Sequence, residues 1–122
     1  MRYLRIYADE AGESRSEEVD IALSRADFAP PASPMDVSEP RAAARVIFAT
    51  MPIGWYGERH TAPRRQFFFQ LTGTIEWELS EGLRIRPGEG SVTLLEDTSG
   101  SGHSTRVIGD EPVTGAFVQL PD

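Results

Sequence analysis

An all-β fold, built as a jelly roll or small barrel of antiparallel strands, is what this 122-residue sequence predicts. Three observations carry that expectation. Apolar residues recur with a period of two in short runs, and helical periodicity is hard to find. The runs are separated by turn residues, and from Arg65 onward six of them follow one another within about 55 residues. Strands this short and this numerous protect their edges only by closing on themselves or by stacking.

In chain order the candidate strands begin with "RYLRIYA", then "VDIAL" with Val19, Ile21 and Leu23 on one face, then "RVIFAT". The later runs are "RQFFFQL", "TIEWEL", "LRIR", "SVTLL", "HSTRVI" and "VTGAFVQL", split by Gly73, "SEG", "PGEG", "EDTSGSG" and "GDEP". The passage "ADFAPPASPMDVSEP" holds four of the nine prolines. Each proline lacks an amide hydrogen and restricts the residue before it, so this stretch is expected to be an extended, mostly unladdered arm lying on the barrel. The one helical alternative is "EPRAAARV", where Pro40 could start a turn or two. The chain reads as one domain over 1–122, with N-terminal strands and the proline-rich arm in 1–50 and the core barrel in 51–122.

Composition removes whole classes of function. The formal net charge is −7, and only Arg64 and Arg65 sit together, which argues against a phosphate backbone as partner. There is no cysteine, hence no disulfide, thiolate zinc site or cysteine nucleophile. All twelve cations are arginines, and the absence of lysine excludes Schiff-base chemistry. The opening "MRYLRIYADE" lacks the apolar run of a signal peptide, and no stretch is apolar enough to span a membrane, so a cytoplasmic protein with no membrane partner is expected.

Residues Gly54 to Val107 resemble the cupins, small double-stranded β-helix proteins whose two motifs carry glycines, histidines and a glutamate at set spacing. Gly54 stands at the opening glycine of the first motif, His60 at its first histidine, Ala62 at the second, Gln66 at the glutamate and Gly73 at the closing glycine. In the second motif Gly90 with "SVTLLE" fits the opening, Glu96 stands where proline is usual, and His103 matches the histidine after a longer loop. No asparagine closes it. More narrowly, "HTAPRRQ" with "EDTSGSGH" looks like a subgroup of short single-domain cupins, a likeness that brings no particular reaction with it. Cupins include dioxygenases, isomerases, epimerases and proteins that only bind, so the site has to be argued from its residues.

On an unbroken strand His60, Ala62, Arg64 and Gln66 share one face, and Pro63 is the residue that could bend it. The resemblance points this face into the barrel, where His103 would meet His60 and Gln66 as candidate ligands of a weakly held divalent metal such as zinc, nickel or iron. An amide is a poorer donor than a carboxylate and leaves the ion's charge uncompensated, so the metal site is degenerate by chemistry. The rival reading has the histidines hydrogen-bonding to Gln66, Asp97 or an organic ligand. Arg64 is placed by parity to clamp a carboxylated small molecule, Phe68 shares the parity of Gln66, Trp55 and Tyr56 could cover the pocket mouth, and Asp97 could orient His103. The glycines of "EDTSGSGH" could cradle an anion or merely permit a tight turn, and a serine nucleophile lacks any G-x-S-x-G elbow. Two functions remain open: a small-molecule binding protein, or an enzyme of dioxygenase, isomerase or epimerase type using that weak metal. Because both faces of "FFFQL" are apolar, a second layer is needed, and a homodimer is expected.

Overall fold

A computed structural model describes all residues, Met1–Asp122. Twelve strands form: β1 (Arg2–Ala8), β2 (Ser14–Asp20), β3 (Ser24–Ala26), β4 (Met35–Val37), β5 (Arg45–Met51), β6 (Tyr56–His60), β7 (Gln66–Thr72), β8 (Thr74–Glu78), β9 (Arg84–Ile85), β10 (Val92–Leu95), β11 (His103–Ile108) and β12 (Val113–Gln119). Apart from one 3-10 turn at Ser80–Gly82 there is no helix, and residues 38–44 around Pro40 form none. The expected all-β jelly roll is the fold observed.

Two sheets face each other. One has six strands in the order β2-β1-β10-β7-β12-β5, the other four in the order β6-β11-β8-β9. All neighbours are antiparallel except β1 and β10, which run parallel. The alternation seen in the sequence becomes burial. Phe68 on β7 and Val113 on β12 turn inward from one sheet, Ile75 and Trp77 on β8 and Val107 on β11 from the other, and all lie in one core with Ile6 of β1. Phe68 is fully buried against Phe117, ring centroids 4.7 Å apart. Two residues earlier on β12, a Cβ on Gly115 would overlap the Phe69 carbonyl and stand 2.7 Å from the Phe68 ring.

Two expectations about the N-terminal part need correction. The strand read at "VDIAL" runs earlier, over Ser14–Asp20, where it forms a hairpin with β1. Its ladder is carried by charge: Arg2 reaches Glu18 and Asp20, and Arg5 reaches Glu17, so apolar patterning could not reveal it. Within 1–50, β1 and β5 are integral to the six-stranded sheet, and Ile6 and Met51 sit in the shared core. The proline-rich passage is mostly unladdered, as expected: only Ala26 and Met35–Val37 pair, within the small separate sheet of β3 and β4. That hairpin is exposed, and beyond it Arg41 lies over the Phe67 ring at 5.0 Å.

Candidate functional site

Strand register alone brings the polar residues of the site together, two from each sheet. The β6–β11 pairing sets His60 directly opposite His103, and the β7–β12 pairing sets Gln66 opposite Gln119. All four line one cavity of about 430 Å³ between the sheets. Trp55, Trp77 and Phe117 supply aromatic wall, and Thr105 adds a hydroxyl. The ladder of β11 is irregular between His103 and Thr105, a distortion of the kind that re-aims side chains beside binding sites.

The two imidazoles stand 4.7 Å apart between centroids at 59°. His103 is buried, and its Nδ1 donates to Asp97 Oδ2 at 2.5 Å, with Asp97 fully enclosed behind it. Because an ionised carboxylate only accepts, this bond fixes the hydrogen on Nδ1 and leaves Nε2 as the ring atom free for the pocket. The edge of Trp77 meets the same ring at 5.3 Å and 87°. His60, exposed at the mouth, donates from Nδ1 to the Glu58 carbonyl at 2.6 Å, so its Nε2 is free as well. On the other sheet Gln119 Nε2 donates to Gln66 Oε1 at 2.9 Å. Gln119 Oε1 and Trp77 Nε1 are buried with no partner in the protein.

Two glycines permit this packing. Gly102 has φ +70° and lies against the His60–Thr61 backbone so closely that any Cβ would overlap the His60 carbonyl. A Cβ on Gly57 would come within 2.7 Å of the Trp55 ring, which passes beside His60. The "EDTSGSGH" loop is tied down: the Gly102 carbonyl accepts from Ser14 Oγ and Arg59, and the Ser101 amide donates to the Gly12 carbonyl.

Of the residues singled out in the sequence, Trp55, His60, Gln66 and His103 line the cavity, and Ala62 does too, buried and without a donor. Arg64 does not. Strand β6 ends at His60 and β7 begins at Gln66, so parity does not carry across residues 61–65, and Arg64 donates to the Leu120 carbonyl at 2.9 Å. Phe68 faces inward as its parity implies but lies deeper, in the core behind Phe117, and Asp97 acts on the cavity only through His103. Gln119, Trp77 and Thr105 escaped the sequence reading. Gln119 shares parity with Val113 and Phe117 in "VTGAFVQL", a usable signal, but its pairing with Gln66 depends on a register no single strand encodes.

The donor set does not fit a firmly held divalent ion. Two imidazoles are available, but Gln66 Oε1 already accepts from Gln119, no carboxylate lines the cavity, and no cluster of three or more His, Cys, Asp or Glu forms a metal-binding group in the molecule. The charged residue next in sequence to the site, Glu96, belongs to a different network. Burial pushes its carboxyl up, but hydrogen bonds and charge from Arg5 and Arg65 outweigh that and hold it below the usual glutamate value.

Comparison with known proteins is consistent with this architecture. No family model matches the chain, and no curated protein matches its sequence. Among solved structures, the cupin domain of Schizosaccharomyces pombe Cnp3 is similar over 99% of this chain and 88% of that one, with a TM-score of 0.56 and 15% identity. Likeness at that identity shows the fold alone: the chain is a cupin-type double-stranded β-helix.

Proposed function

We propose that this cupin-fold chain is a binding protein for a small organic molecule, taken into the cavity between the sheets, with the cupin metal site degenerate. The observation that carries the reading is the convergence of His60, His103, Gln66 and Gln119 on one cavity of about 430 Å³, within the size range of ligand sites, with aromatic wall beside it. A screen of small polar aromatics by ligand-observed NMR tests the proposal. Hits are expected to lose binding in Ala62→Phe, which grows a ring into the cavity; binding that persists unchanged in this variant would place the ligand elsewhere.

An enzymatic reading of the same cavity, isomerase or epimerase in type, draws on the Asp97–His103 pair. An imidazole held in one tautomer by a buried carboxylate suits a general base that takes a carbon-bound proton on Nε2 and returns it. Exchange of a ligand's C–H for deuterium in D2O, lost in His103→Gln, would favour it over binding alone. No helix is long and apolar enough to cross a membrane, and a cytoplasmic setting is proposed on composition alone.

A homodimer belongs to the same proposal. The outer face of the six-stranded sheet exposes Val46, Phe48, Phe69 and Leu71, with Phe48 81% exposed on β5 at the open edge of that sheet. A second copy covering this face would remove both the apolar surface and the free edge. Light scattering should give twice the chain mass; a monomer at tens of micromolar, roughly the range where specific interfaces of standard size are formed, would overturn it.

A further inference from the structure

Resting on the reading of the cavity as a ligand site, we infer the chemical class of the ligand: an uncharged, planar molecule carrying N–H donors, of the carboxamide or lactam type, and not a carboxylate. No arginine, aspartate or glutamate lines the cavity. The nearby arginines in sequence are all engaged elsewhere. Arg59 donates to the Gly102 and Leu79 carbonyls, Arg64 to the Leu120 carbonyl, and Arg65 to Glu96 and Asp122. A bound carboxylate would therefore lose its hydration with no cation to replace it.

The polar atoms that remain are mostly acceptors. Asp97 and the Glu58 carbonyl each take the Nδ1 hydrogen of one histidine, so in their neutral form His103 and His60 present Nε2 lone pairs. The Gln66–Gln119 pair uses one amide oxygen and one amide nitrogen, and because Gln119 Oε1 is fully enclosed, the Gln66 amide nitrogen is what remains for a ligand. A carboxamide or lactam offers N–H groups to the imidazoles and its carbonyl to the Gln66 amide nitrogen. A carboxylate offers acceptors only and would set lone pairs against lone pairs. Planarity follows from the walls, where Trp55, Trp77 and Phe117 favour a ring that can stack or meet them edge-on.

Benzamide and benzoate form a matched pair for the test, alike in ring and size and different in charge and donors. Both tryptophans of the chain line the cavity, so intrinsic fluorescence reports occupancy directly. In mildly alkaline buffer benzamide should bind with a Kd of about 1 mM, and benzoate at least about tenfold more weakly. Gln119→Met and Gln66→Met, each checked for folding by circular dichroism, should weaken benzamide and narrow the gap. Benzoate binding as tightly as benzamide would overturn the inference about ligand class while leaving a ligand cavity standing. Quenching by neither compound would overturn both. A gap unchanged in whichever glutamine variant folds would remove the amide pair from the recognition.

Discussion

His60 and His103 meet across β6 and β11, Gln66 and Gln119 across β7 and β12, and the two pairs differ in what stands behind them. Behind His103 is Asp97, fully enclosed, which accepts one hydrogen bond and keeps its second oxygen unpartnered, while the Glu58 carbonyl holds His60. Behind the amides there is nothing charged; they hold each other, and one oxygen is left over. The same device, a cross-strand pair, thus gives a fixed tautomer backed by a carboxylate on one sheet and a neutral pair with spare donor and acceptor on the other. Cross-strand pairing sets positions in both cases, and the chemistry of the group behind each pair sets what it can do.

The sharpest way to break this contrast is to remove the backing. Asp97→Ala leaves the His103 Nδ1–H buried without an acceptor and should cost about 3 kcal/mol of stability, whereas Gln119→Met, which loses a neutral hydrogen bond, should cost about 1 kcal/mol. Urea unfolding with unchanged m-values measures both. Equal costs would mean the carboxylate does not distinguish the two pairs.

Next in size is the conversion of the neutral side into a charged one. Ala62→His with Gln66→Glu supplies the two donors at the positions where the cupin motif has them, giving three imidazoles and a carboxylate. Zinc affinity by calorimetry should rise by roughly a hundredfold over wild type, fall with acid as the ligands protonate, and collapse when His103→Ala is added. Residues 61–65 lie outside the strands, so failure here would mean that segment aims the new imidazole away from His103.

The smallest effect concerns the support of the glutamine sheet. Glu96 ties Arg5 of β1 to Arg65, which immediately precedes β7. Since its folded pKa is depressed, the unfolded chain binds the proton more readily, and the stabilisation is present above the ordinary glutamate value and lost as pH falls from there through the folded value. The arginines are about a third exposed, which screens the pair, so Glu96→Gln should cost only about 1 kcal/mol or less at neutral pH and flatten the acid limb of the stability profile. A variant that keeps the wild-type acid dependence would assign that limb to other carboxylates.

Much of this was legible in the chain. Period-two runs between turns gave β1, β5 and every strand from β7 to β12, because alternation is itself the signature of a half-buried strand. The polar strand β2 was misplaced because ion pairs, not apolar residues, hold it to β1, and the short β3, β4 and β6 lack enough alternation to stand out. His60, Gln66 and His103 were identified from motif spacing. Arg64 went wrong for a local reason: parity was extended through a segment that is not a strand.

What the sequence by itself determined was the fold class, the exclusion of thiol and lysine chemistry, and the identity of two histidines and a glutamine as the polar centre. What only the tertiary structure decided was their company. Gln119 reaches Gln66 across 53 positions of sequence, and Asp97, six residues from His103, comes to lie behind it because the loop between them is pinned by Ser14 and Gly12. Alternation along one strand says which way a side chain points, but partners across a ladder are chosen by register between distant strands. Register is set by the packing of the whole core.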